Sequence, residues 1–169
     1  MKNDLTQADL LAILSYDPAT GIFTWRIDRS ALGDNGNNPK AGDVAGSLSK
    51  RHGYREIGIN GSLYRANRLA WLYMTGAWPV NDVDHENLDK GDDSWSNLRL
   101  GTRAQNLANR KPYGKSGVKG VRVRKGRFIA QITVDRKQIY LGSFDEIEAA
   151  AAAYEAAAKL HYGQFARTA

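Results

Sequence analysis

"VDHENLDKGDDSWSNL", residues 83–98, decides how the rest of the chain is read. It carries His85, one of three histidines in 169 residues, directly after Asp84 and twelve residues before Asn97. So polar a stretch adds little to a core, and its residues are read for chemistry. A neutral imidazole with an ordinary pKa of about 6.5 takes a proton from water at physiological pH. A carboxylate and an amide carbonyl are hard oxygen ligands for Mg²⁺ or Mn²⁺, an ion that bridges a scissile phosphate and stabilises the departing oxygen. In an extended strand Asp84 and His85 point to opposite faces, so a bend or bulge is needed to bring them together. On spacing alone, an exposed histidine in a polar loop is the simpler alternative.

On the N-terminal side, "ANRLAWLYMTG" places Leu69, Leu72 and Tyr73 at helical spacing with Gly76 positioned to end the helix. Before it, "GYREIGINGSLYRA" sets Asn60-Gly61 between two alternating runs, a strong hairpin signal. Residues 29–43 form a polar loop, and "DPATGIFTWR" reads as a turn and a strand. Thr6 is the expected N-cap of a short helix over "QADLLAIL", whose stripe is Leu10, Leu11, Ile13 and Leu14. On the C-terminal side, Thr102 and Gln105 stand at capping-box spacing and predict a helix from about Arg103.

The stretch "KPYGKSG", residues 111–117, reads as a basic linker. Beyond it come three β-like runs, 118–124, 127–134 and 138–141, and a helix. Asp145 and Glu148 suggest a second capping box. Ile147, Ala151, Tyr154, Ala158 and His161 fall on one helical face, with Leu160 adding to the packing stripe. If the apolar sides of the strands meet this helix, alternation leaves Arg122, Arg124, Gln131, Thr133, Gln138 and Tyr140 on the open face. Arginine pairs bidentately with guanine and glutamine with adenine, so this face suits duplex DNA; a solvated antiparallel face is the plain alternative.

Charge points the same way. The chain carries a net +6, and from Arg103 to Gly142 eleven basic residues face one acid, Asp135. An excess this concentrated favours an anionic partner. The chain has no cysteine, which excludes disulfides and cysteine-bound zinc. The N-terminal stretch lacks the apolar core of a signal peptide, and no run reaches the length that spans a bilayer. The expectation is a soluble intracellular protein with no membrane role. Trp25, Trp71, Trp78 and Trp95 are expected in the core, His52 in a turn, and His161 in packing or capping.

The order "LYRANRLAWLYMTGAWP", "VDHENLDKGDDSWSNLRLGTRAQNLANR", with "YDPATGIFTWR" and "AGDVAG" before it, closely resembles the phage-type HNH endonuclease family. The resemblance covers roughly residues 53–110. It implies a ββα-metal fold in which His85 is the general base and Asp84 and Asn97 hold one divalent ion. Two stretches depart from the family pattern: Asn67 stands where histidine is usual, and Asp93 and Ser94 stand where asparagine and arginine are usual. Because Asp93 accepts but does not donate, a looser loop is expected. The C-terminal features "GVR", "LG-x-F-D" and "EAA" resemble the ethylene-response-factor (APETALA-type) DNA-binding domain. That likeness implies a sheet laid in the major groove and read through the six face residues above.

The resulting expectation is an α+β protein: a ββα-metal nuclease domain over residues 1–110, a linker at 111–117, and a three-stranded antiparallel sheet packed on one helix over 118–169. Its expected activity is that of a metal-dependent DNA endonuclease, homing-type and phage- or prophage-encoded, acting in the host cytoplasm. One active centre per chain suggests nicking by a monomer, while double-strand cleavage needs a dimer or a second encounter. The alternative is a non-catalytic, sequence-specific DNA-binding regulator whose nuclease fold is degenerate.

Overall fold

A computed structural model describes residues 5–28, 38–112 and 116–167. Part of the polar loop, 29–37, and part of the expected linker, 113–115, lie outside the described residues. The protein is α+β, and its chain divides into two units, Met1–Leu100 and Gly101–Ala169.

In the first unit, helix α1 (Gln7–Ile13) starts at Thr6, whose hydroxyl accepts from Asp9 N while the Asp9 carboxylate accepts from Thr6 N. The helix is shorter than its apolar stripe suggests. Leu14 takes an extended conformation and opens strand β1 (Leu14–Asp17), because pairing with β2 (Ile22–Trp25) buries Leu14, Tyr16, Phe23 and Trp25 together. Asp17 closes the intervening turn by accepting from Ala19 N and Thr20 Oγ1. Strands β3 (Ser47–Leu48), β4 (Arg55–Ile59) and β5 (Ser62–Arg65) form an antiparallel sheet in that order. Asn60 and Gly61 both have positive φ, 48° and 73°, as a two-residue hairpin turn requires.

Helix α2 (Ala66–Thr75) follows directly and ends at Gly76 in the left-handed conformation. Its buried face, Leu69, Ala70 and Leu72, joins Leu10, Phe23 and Ile57 in one core. Trp25 is buried within that core, and Trp71, Trp78 and Trp95 pack against it. The polar stretch 83–98 is not a plain loop: its ends form strands β6 (Asp82–His85) and β7 (Leu98–Gly101), which pair with each other.

In the second unit, helix α3 (Arg103–Asn109) carries the expected capping box of Thr102 and Gln105. This helix lies in the second unit, Gly101–Ala169. The ammonium of Lys119, a residue 9% exposed, donates to the carbonyls of Leu107, Ala108 and Arg110, tying the end of α3 to the turn that precedes the sheet. These are carbonyls that a helix C-terminus leaves without partners of its own.

Strands β8 (Val121–Arg124), β9 (Arg127–Val134) and β10 (Lys137–Phe144) form an antiparallel sheet with β9 central. Helix α4 (Ile147–Tyr162) covers one face through Ala150, Tyr154 and Ala158. Gly120 must be glycine: its φ is 69°, and a Cβ there would overlap the Tyr154 ring. Two expectations are corrected. No side chain caps α4, because Asp145 pairs with Arg127 at 2.9 Å instead, and Leu160 is 80% exposed rather than packed. His161 is also exposed, in the last turn.

Candidate active site

Strand β6 alternates, so Val83 and His85 face inward while Asp82 and Asp84 face the other way. Along β6 the Asp84 and His85 side chains leave the strand on opposite faces. His85 is 3% exposed, and its Nε2 lies 3.0 Å from Asp93 Oδ1. Asp93 itself is 1% exposed, the most buried polar residue described. Burial pushes its carboxyl above the ordinary range, while the His85 hydrogen bond and the charges of His85 and Arg55 pull it back.

The segment holding Asp93 is fixed from the N-terminal hairpin. Tyr16 donates its hydroxyl to the Asp93 carbonyl at 2.7 Å, and Trp95 N donates to the Pro18 carbonyl at 2.9 Å. Burial and the nearby Asp93 charge push the Tyr16 phenol up, so it remains a donor. Gly21, at φ 73°, lies so close to the Asp93–Ser94 backbone that any Cβ would collide with it. The "YDPATG" turn therefore serves as a seat for the partner of His85.

The loop is cross-braced rather than loose, contrary to the expectation drawn from Asp93 and Ser94. Asn97 Oδ1 accepts from Asn87 N at 3.0 Å, and its Nδ2 donates to the Asp92 carbonyl at 2.8 Å. Asp92 Oδ2 accepts from Asn87 Nδ2 at 2.7 Å. Hydrogen bonds from Ser94, with Asn87 adding to them, hold the Asp92 carboxyl below its usual value. Asn67, where histidine was expected, is buried and donates to the Val83 carbonyl at 3.0 Å, so it anchors β6 to α2.

Asp84 Oδ2 accepts from Arg99 Nε at 3.2 Å, and Arg99 also lies 3.8 Å from Glu86. Among the described residues, no group of three or more His, Cys, Asp or Glu side chains converges as a metal cage. A hard carboxylate oxygen such as that of Asp84 suits a hydrated Mg²⁺-like ion, which keeps several waters and takes substrate phosphate as a ligand. Asn97 Oδ1 already accepts one hydrogen bond, so a metal could take only its second lone pair. Asn97 is thus engaged in closing the loop, with one Oδ1 lone pair left over.

In the second unit, strand register places the six sequence-derived residues on one face. Gln131 pairs with Tyr140, Thr133 with Gln138, and Arg122 with Ile129, while Arg124 follows Arg122 at the two-residue period. The third strand runs further than expected, to Phe144, and a bulge at Leu141 lets Gly142 pair with Ala130. Arg122, Arg124, Thr133, Gln138 and Tyr140 are exposed, and Gln131 is partly so.

Sequence reasoning missed Asp93 as the partner of His85, Asn87 as the second brace, and Tyr54, whose ring centroid stands 5.8 Å from that of His85. Only the departure at position 93 was visible beforehand. A family model described as HNH endonuclease matches residues 64–108, which run from the end of β5 through α2, β6, β7 and α3. The chain thus carries an HNH endonuclease domain, and the β6, β7, α3 order fits the ββα-metal fold. No curated protein matches the chain. Among the described residues, no helix is long and apolar enough to cross a membrane.

Proposed function

We propose that the protein is a metal-dependent DNA endonuclease whose C-terminal sheet holds the duplex. The observation that carries this reading is the buried His85–Asp93 pair, 3.0 Å apart, inside the stretch that matches the HNH family. A carboxylate on Nε2 favours the tautomer protonated there, which makes Nδ1 the basic nitrogen. His85 then takes the proton of the attacking water, and Asp93 stabilises the imidazolium that results. Asp84 would hold the divalent ion, Mg²⁺ or Mn²⁺, with the second lone pair of Asn97 Oδ1 as a further ligand, and the ion's chemistry is to polarise the phosphate and stabilise the leaving oxygen. Asn97 and Asn87 keep the loop in the shape that presents Asp84 and His85.

The basic sheet supplies affinity. Arg122, Arg124, Gln131, Thr133, Gln138 and Tyr140 present guanidinium, amide and hydroxyl groups from one face, the donor and acceptor set that reads base edges. The likeness to ethylene-response-factor domains supports this use of the sheet. A single centre per chain makes nicking by a monomer the primary product, and a homing-type, phage-encoded role in the cytoplasm rests on the family resemblance.

The second reading is a DNA-binding regulator without catalysis, and two observations favour it: His85 is 3% exposed, and Asp84 is engaged by Arg99. Conversion of supercoiled plasmid to open circle separates the two. The nuclease reading expects conversion with Mg²⁺ or Mn²⁺, none with chelator, and loss in Asp84→Ala. Binding without conversion under any metal would favour the regulator.

A further inference from the structure

Tyr54, at the end of the turn before β4, places its ring 5.8 Å from the His85 ring. Over the same Tyr54 ring lie the Arg65 guanidinium carbon, 4.3 Å from the centroid, and the Lys90 ammonium, 4.9 Å from it. The two charges therefore stand within about 9 Å of each other. Arg65 pairs in register with Glu56 across the hairpin, yet it lies over Tyr54. Among the described residues, neither Arg65 nor Lys90 has a carboxylate within ion-pair distance.

Both side chains are exposed and keep donors for an outside anion. Lys90 donates to the His52 carbonyl at 3.0 Å, which uses one of its three N–H groups. A guanidinium lying against an aromatic ring still directs its N–H edge outward. The adjoining turn adds Lys50 and Arg51, both exposed, with no acid between Ser49 and Arg55.

We propose that Tyr54, Arg65 and Lys90 form a phosphate grip: the two cations bind backbone phosphates of duplex DNA beside the one presented to His85, and the tyrosine ring fixes their positions. Spacing, charge and the absence of internal ion pairs carry this inference. Two cations on one aromatic ring are pre-positioned, so less side-chain freedom is lost when phosphate binds. The assignment rests on the nuclease reading of His85 for its location, but the binding it describes is measurable without cleavage.

The test uses the full chain carrying His85→Ala, with a fluorescent duplex titrated by anisotropy from 0.05 to about 0.5 M salt. Adding Arg65→Ala and Lys90→Ala is expected to lower the magnitude of the salt slope by about 1.8, since each phosphate contact contributes about 0.9. Extrapolated from 1 M salt, that corresponds to a loss of roughly 60-fold in affinity at 0.1 M. Lys40→Ala with Lys159→Ala makes the same charge change elsewhere and should leave the slope within experimental error. Tyr54→Phe should bind like the parent, whereas Tyr54→Leu should lose about two- to fivefold per cation released.

An unchanged slope in the Arg65/Lys90 variant, or an equal fall in the Lys40/Lys159 control, overturns the proposal. Circular dichroism and melting of each variant establish that the fold is intact. If the His85-intact protein cuts no DNA, the nuclease reading fails while the slope measurement still decides the grip.

Discussion

Replacing Asp93 by asparagine separates what the buried carboxylate does for catalysis from what it does for stability. The substitution keeps the shape and an acceptor oxygen for His85 Nε2–H but removes the charge. A hydrogen bond to a charged group contributes roughly 1.5–3 kcal/mol against about 1 kcal/mol for a neutral one. The imidazolium formed when His85 takes a proton therefore loses about 1–1.5 kcal/mol, which corresponds to roughly a tenfold slower chemical step. Stability should move the other way or not at all. Burial already opposes the Asp93 charge, and Oδ2 is buried with no hydrogen-bond partner, so the neutral amide removes a desolvation cost of about 1 kcal/mol.

Asp93→Ala should behave differently. It leaves the buried His85 donor unpaired and opens a cavity, costing about 1–3 kcal/mol of stability as well as activity. Single-turnover nicking rates and melting temperatures of the two variants, measured side by side, supply the comparison. If Asp93→Asn melts as low as Asp93→Ala and cuts at the native rate, the carboxylate is only a packing group and the reasoning fails.

Three further outcomes follow from the same geometry. Gly21→Ala forces a Cβ into the Asp93–Ser94 backbone at a positive φ, so it should lower stability by about 1–3 kcal/mol and depress nicking by displacing Asp93; native activity would contradict the seat assigned to that turn. Lys119→Met removes the ammonium that closes α3 and should destabilise the second unit by about 1–3 kcal/mol, read by chemical denaturation of the full chain. The native chain should also gain stability as pH rises from about 8 toward 10.5. Burial first, then Arg167 and Arg110, lowers Lys119 to about 8 in the folded state, so across that window the unfolded chain binds the extra proton, and the gain should vanish in Lys119→Met.

How much of this was readable beforehand depended on the range of the interaction concerned. Local chemistry was legible: the Thr6 and Thr102 caps, the Asn60-Gly61 hairpin and the end of α2 at Gly76 each involve neighbours a few residues apart. Strand alternation likewise placed Gln131 with Tyr140 and Thr133 with Gln138 on one face. Contacts set by tertiary packing were not legible. Leu14 fits a helical stripe but is drawn into β1 by its pairing with Trp25, and Asp145 forgoes a cap for Arg127 across the sheet.

The site divides along the same line. His85 and Asp84 stood out from residue type and order, whereas the value of Asp93 depended on a hairpin 77 residues away that donates the Tyr16 hydroxyl. An acid in place of an amide suggested a weaker loop because only its lost donor was visible. Its gained partner, His85, was not.

The most direct test of the account is plasmid nicking by the native chain and by His85→Ala, at matched concentrations in Mg²⁺ or Mn²⁺, with DNA binding measured on the same samples. The account predicts metal-dependent open-circle product from the native chain, its loss by at least a hundredfold in His85→Ala as removal of a general base requires, and equal binding by both. Equal nicking by the two proteins would contradict it and move the chemistry away from His85.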